Sequence, residues 1–220
     1  MKDLYSSSAY QKICEYGIMP LVTLDDAKDA LLLGQALTEC NLPVVEITFR
    51  TDAAADAIKL LKEKYPQLLV GAGTVLTPKM AEIAIDAGAA FVLAPGINPE
   101  VVQYCQSREI LPFPGCMTPS DLELSGRLNL KCVKIFPFIP MGGVKMLKAI
   151  SAPFPSMKYL VTGGINSENL AECLAFPKIV ACGGSWLINQ SALKSGDLKK
   201  LKDDINQAKH ERDIAVRRCF

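Results

Sequence analysis

Histidine is nearly absent: the 220 residues hold one, His210. A Ser–His–Asp hydrolase, a His-rich zinc site or a two-histidine iron site would each have to be built around it. It stands instead in a polar, helix-like tail, Q-A-K-H-E-R-D, and is expected on the surface. Charge of one sign is absent too: 24 basic and 23 acidic residues leave a formal net charge of +1. That balance argues against a nucleic-acid binder that works by neutralising phosphates, but not against a small anion held by a few local groups. No apolar run approaches the ~18 residues needed to span a bilayer. The N-terminal M-K-D-L-Y-S-S-S lacks the apolar core of a signal peptide. The eight cysteines (Cys14, Cys40, Cys105, Cys116, Cys132, Cys173, Cys182 and Cys219) show neither C-x-x-C nor zinc-finger spacing. Several sit in apolar runs and read as reduced, buried thiols, which points to a cytoplasmic location. No cofactor, metal, nucleic acid or membrane partner is expected.

What is present is a globular composition, 50% hydrophobic and 21% charged. No Pro/Gly/Ser linker divides the chain, so residues 1–220 read as one domain. Short β-branched or apolar runs start near Ile18, Val44, Leu68, Phe91, Ile110, Lys131, Lys158 and Lys178, 19 to 27 residues apart. Each interval fits one strand, one helix and two short loops. Helical spacing of apolar residues covers Asp25–Glu39 and Asp52–Tyr65. Thr77-Pro78, Asn98-Pro99 and Thr118-Pro119 each offer a capping side chain followed by proline, a helix start. Ser167 is expected to cap another helix, and Asp197 to Arg217 reads as a long charged one. Eight such units predict an α/β fold, a (β/α)8 barrel with an extra N-terminal helix. A doubly wound open sheet is the alternative, less favoured because no G-x-G-x-x-G follows the first strand.

Residues two apart on a strand share a face. In V-V-E-I-T-F-R-T, Glu46, Thr48 and Arg50 share one face, and Val45, Ile47 and Phe49 the other. With the apolar face on the helical ring, the polar face points into the barrel. Glu46 and Arg50 then form either a plugging ion pair or a working site. In the sixth strand, K-C-V-K-I-F-P-F, Lys134 points inward by the same rule. It either snorkels to solvent or serves as an amine whose ammonium form is disfavoured by apolar surroundings and a nearby cation, the state Schiff-base chemistry needs. Two glycine turns follow the last two strands: V-T-G-G-I with Gly163 and Gly164, and A-C-G-G-S-W with Gly183, Gly184 and Ser185. In barrels the corresponding loops often bind phosphate through backbone N–H groups. G-A-G-T-V-L at 71–76 places Thr74 at the rim.

Together, in order and spacing, V-E-I-T-F-R-T, G-A-G-T-V-L, A-P-G-I, P-F-P-G-C-M-T-P-S, V-K-I-F-P, G-G-V-K, T-G-G-I and G-G-S-W-L resemble the bacterial 2-keto-3-deoxy-6-phosphogluconate (KDPG) aldolases. Some of these also cleave 4-hydroxy-2-oxoglutarate (KHG). The resemblance runs from about Gly17 to Leu187. It implies that Lys134 forms the Schiff base and Glu46 is the general acid/base. It implies that Arg50 and Thr74 hold the pyruvate carboxylate, that Pro95 and Phe136 line the pyruvyl pocket, and that Thr162 faces the hydroxylated carbons. Gly163, Gly164, Gly184 and Ser185 match the phosphate end, and the assembly implied is a homotrimer. One departure stands out. Relatives carry small and acidic residues after K-x-F-P, where this chain has Phe138-Ile139-Pro140-Met141. Three rivals share parts of the pattern: a galactonate-series aldolase, a sugar-phosphate isomerase or decarboxylase on the same barrel, and a non-catalytic sugar-phosphate binder.

Overall fold

Each of the eight apolar runs becomes a strand in the computed structural model, which describes residues 3–217. The strands are β1 (Ile18–Val22), β2 (Val44–Thr48), β3 (Leu69–Gly73), β4 (Phe91–Leu93), β5 (Leu111–Phe113), β6 (Gly115–Cys116), β7 (Cys132–Ile135), β8 (Lys158–Thr162) and β9 (Ile179–Gly184). Among the described residues there are nine because Pro114 splits the fifth run, a proline having no N–H to give to a ladder. β5 pairs with β4 and β6 with β7, so the interrupted strand joins the two ends of the sheet and closes it into a barrel. The Lys134 N–H donates to the Pro114 carbonyl at 2.9 Å, carrying the ladder across the break. All pairings are parallel.

The helices are α1 (Ser8–Tyr16), α2 (Asp29–Glu39), α3 (Ala54–Lys64), α4 (Pro78–Asp86), α5 (Pro99–Ser107), α6 (Pro119–Arg127), α7 (Gly143–Ser151), α8 (Leu170–Leu174), α9 (Gln190–Ser195) and α10 (Leu198–Arg217). The three residue-plus-proline starts hold. Thr77 accepts from the Met80 N–H and Asn98 from the Glu100 N–H, while Thr118 and Asp121 form a reciprocal capping box. Each such cap stabilises its helix by about 1 kcal/mol. α2 and α3 start later than the periodicity suggests. Before α2 the Asp26 carboxylate accepts from the Lys28 N–H at 2.8 Å and holds a turn instead. Ser167 does not cap α8. The Asn166 side chain accepts from the Glu168 and Asn169 N–H groups, and the helix starts at Leu170.

α1 closes the N-terminal end of the barrel. Tyr10 stacks on Phe113 with ring centroids 6.5 Å apart, and the Tyr5 hydroxyl donates to the Cys132 carbonyl at 3.5 Å. The opposite end, where the strands run out, is left to the loops. The strand residues facing the helices are apolar, and Val45, Ile47, Val133, Ile135 and Val161 are all fully buried. Cys14 is half-buried, the other described cysteines are buried, and Cys219 lies outside the described residues. His210 is exposed on α10. Among the described residues no helix is long and apolar enough to cross a membrane.

Candidate active site

β2 carries Glu46 into the barrel, where it is fully buried. Neither carboxyl oxygen has a hydrogen-bond partner. Burial pushes the group's pKa up from the ordinary carboxylate value, against the pull of the positive charges on Lys134 and Arg50. The plugging Glu46–Arg50 ion pair is therefore not made. The strand ends at Thr48, so Arg50 lies in the turn beyond it, exposed, rather than on the strand itself. Its Nε donates to Thr74 Oγ1 at 3.3 Å.

Thr74 follows directly on β3 with φ of +60°. A β-branched residue in the left-handed region costs of order 1–3 kcal/mol and persists where the surroundings over-determine it. Those surroundings are the neighbouring backbone bonds, Phe49 N–H to the Gly73 carbonyl at 2.7 Å and Val75 N–H to the Leu93 carbonyl at 3.1 Å. The first ties the turn after β2 to the end of β3 and so holds Arg50 beside Thr74, and the second ties the chain after Thr74 to β4.

Lys134 lies on β7, the sixth strand of the barrel counting β5 and β6 as one. It is only 5% exposed and does not snorkel. Its Nζ is 5.1 Å from the centroid of the Phe136 ring, within cation–π range. Pro95 is half-buried after β4, and its carbonyl lies where a side chain on Gly115 would stand, so the β6 glycine lets that loop pack down.

The two glycine turns lie side by side, because β8 pairs with β9 and Thr162 is in register with Gly183. Thr162 is buried and its hydroxyl has no partner. Gly163 and Gly164 take φ of +96° and +83°, which glycine alone adopts freely. The Phe138–Met141 segment packs onto them. The Phe138 N–H donates to the Thr162 carbonyl at 2.8 Å and the Ile139 N–H to the Gly163 carbonyl at 2.9 Å. A Cβ on Gly164 would lie 2.8 Å from Ile139 Cβ. Phe138 is fully buried, whereas Met141 is 54% exposed at the edge. Gly184 is extended, and the Trp186 ring fills the place of its missing side chain. Ser185 is exposed.

Three features escape the sequence reading. Thr23 and Thr48 place their hydroxyls 2.7 Å apart across β1 and β2, a contact no local pattern signals. The Trp186 indole N–H is buried without a partner beside the second glycine turn. The Glu46 side chain lies against Gly73, in a motif that otherwise reads as a plain turn.

Comparison with known proteins bears on this arrangement. The family model for KDPG and KHG aldolase matches residues 10–203. A 2-dehydro-3-deoxy-phosphogluconate aldolase of Haemophilus influenzae is 42% identical over 85% of this chain and 88% of its own length. The KHG/KDPG aldolase of Escherichia coli K12 is 34% identical over 90% of this chain and 92% of its own. Among solved structures, the Legionella pneumophila KDPG aldolase, with pyruvate captured as a covalent carbinolamine, superposes with a TM-score of 0.87 at 34% identity, over 91% of this chain and 98% of that one.

Proposed function

The chain belongs to the KDPG and KHG aldolase family, and from that premise we propose how its residues carry out the reaction and on which substrate. It is a carbon–carbon lyase of the Schiff-base class that yields pyruvate. The observation that carries the assignment of roles is a buried amine and a buried carboxyl group inside one barrel. Lys134 is the one buried lysine among the described residues, and Glu46 is buried near enough to feel its charge.

Lys134 Nζ attacks the C2 ketone of the substrate, and the carbinolamine loses water to give the protonated imine. Glu46 takes the proton of the C4 hydroxyl, directly or through a water. The C3–C4 electron pair flows into the imine, and the aldehyde leaves. Glu46 then returns the proton to C3 of the enamine. Water adds to the imine carbon, releasing pyruvate and the free lysine. One water is lost and one regained, so the cycle balances. Arg50 offers forked donors to the planar carboxylate, and Thr74, tied to Arg50, offers its hydroxyl. Pro95 and Phe136 wall the pyruvyl pocket, and Thr162 faces the hydroxylated carbons.

At the far end we assign the phosphate to Gly163, Gly164, Gly184 and Ser185. The Gly163 carbonyl is taken by the Ile139 N–H and the Gly164 carbonyl by the Asn169 side chain at 2.9 Å. A trans peptide places N–H opposite C=O, so the Gly164 and Ile165 N–H groups face away from those partners, free for an anion. KDPG, giving pyruvate and glyceraldehyde 3-phosphate, is the substrate this favours, with KHG a shorter second. A homotrimer and a cytoplasmic location complete the reading, and a sedimentation mass other than three chains removes the trimer. Pyruvate release from KDPG, its galactonate-series epimer and KHG tests the substrate. Preference for KHG or for the epimer overturns the choice.

A further inference from the structure

We propose that Gly73 is a positioning residue for Glu46: the side chain that residue 73 lacks is the space in which the Glu46 carboxyl group sits. This rests on the reading of Glu46 as the general acid/base. A Cβ built on Gly73 would lie 2.6 Å from Glu46 Cδ and 2.7 Å from Cγ, and closer still to Oε1. Real Cβ atoms do not approach so near, so the whole end of the glutamate occupies the volume that any other residue would claim.

Two ordinary reasons for glycine fail here. The first is backbone freedom. Gly73 ends β3 in ladder register with Thr48 and is not among the positive-φ glycines; the left-handed residue of this motif is its neighbour Thr74. Alanine would therefore meet no backbone strain at 73. The second is core packing. Two residues earlier, a Cβ on Gly71 would run into the Phe91 ring, a hydrocarbon contact of the ordinary core kind. The two glycines of G-A-G share a face of β3, and only the outer one opens onto an ionisable group.

Beyond the pull of the Lys134 and Arg50 charges, no bond fixes the carboxyl group. Neither oxygen is hydrogen-bonded, and the nearest hydroxyl along its strand face, Thr48, is engaged by Thr23. A group without a hydrogen bond goes where the walls let it, and Gly73 is the wall that recedes. A displacement of about 1 Å of a reacting group costs roughly 10²-fold in rate.

A double-mutant cycle tests this on the full-length enzyme, with kcat for pyruvate release, borohydride trapping of pyruvate and Tm as readouts. In the wild-type background G73A is expected to lose roughly 10²-fold in kcat while still trapping pyruvate. The acid limb of its kcat–pH profile moves to lower pH as the carboxyl group is pushed toward water. In an E46A background, where Cγ and the carboxyl group are both gone, G73A is expected to lower the residual kcat less than about tenfold, a clear departure from additivity. If G73A does not fold, G73A is introduced into E46A, where no carboxyl group contests the space. That double variant should melt with E46A. Equal kcat losses in both backgrounds, or an equal fall in Tm with and without Glu46, overturns the proposal. Near-normal turnover by E46Q with Gly73 intact would instead overturn the acid/base role of Glu46, whatever the coupling between 46 and 73.

Discussion

The inside of the barrel and its rim hold their polar groups by opposite means. Inside, Glu46 has no hydrogen bond and Lys134 has an aromatic face beside it, both enclosed by packed strands. At the rim, Arg50 is exposed but bonded to Thr74, and the glycine turns are tied by backbone and side-chain hydrogen bonds. Burial sets protonation, because a charge without water or partners is costly. Tethering sets geometry. On the roles proposed above, the interior makes bonds and moves protons, and the rim holds a substrate's two anionic ends. If that division is right, interior variants change the chemical step for every substrate, and rim variants change which substrates are retained.

The largest effect is expected from Lys134→Arg, which should abolish cleavage of all substrates, since a guanidinium stays charged and is a poor nucleophile. Residual turnover above background in a pure preparation would move the Schiff base elsewhere. Glu46→Gln comes next. It should slow the C–C step by roughly 10²–10⁴ while leaving imine formation with pyruvate largely intact. The same residue sets a pH signature. Its folded-state pKa is raised by burial, so the base is unprotonated only above the ordinary carboxylate range. The acid limb of kcat should lie above that range and vanish in Glu46→Gln. For stability the sign is reversed. A carboxyl group whose pKa is higher folded than unfolded binds more protons in the native state, so its contribution falls as pH rises between the two values. The Tm of Glu46→Gln relative to wild type should therefore be higher at neutral pH than below the unfolded-state pKa, and a gap independent of pH would contradict the burial argument.

Rim effects should be smaller and selective. Arg50→Lys keeps charge but loses the fork, and should raise KM about tenfold for every 2-keto acid. A larger fall in kcat than rise in KM would put Arg50 in the chemical step. Ser185→Ala should lower kcat/KM several-fold for phosphorylated substrates and leave KHG unchanged. An equal loss on both would make the second glycine turn structural. Gly164→Val is the poorer probe, because its side chain would strike Ile139 whether or not an anion binds.

Much of this was legible in the residues. Alternation in V-E-I-T and K-C-V-K pointed Glu46 and Lys134 inward, and the proline-bearing caps marked α4, α5 and α6. The motif order brought out Arg50 with Thr74 and the two glycine turns. What stayed hidden was volume and cross-strand contact. The Pro114 break belongs to closure of the barrel, which no single strand displays. The packing of Ile139 on Gly164, the Thr23–Thr48 bond and the room beside Gly73 join residues from different strands and loops, 25 or more apart. Ser167 and Asn166 were equivalent as capping types, and only the path of the turn chose between them.

On the proposed mechanism, pyruvate becomes covalently bound to the buried lysine of the sixth strand. Borohydride reduction of the enzyme with pyruvate, followed by tryptic peptide mapping, measures that directly. One added lactyl-type mass is expected, on Lys134 alone, lost in Lys134→Arg and undiminished by EDTA. The mass on Lys131 or Lys145, or on no lysine, would contradict it.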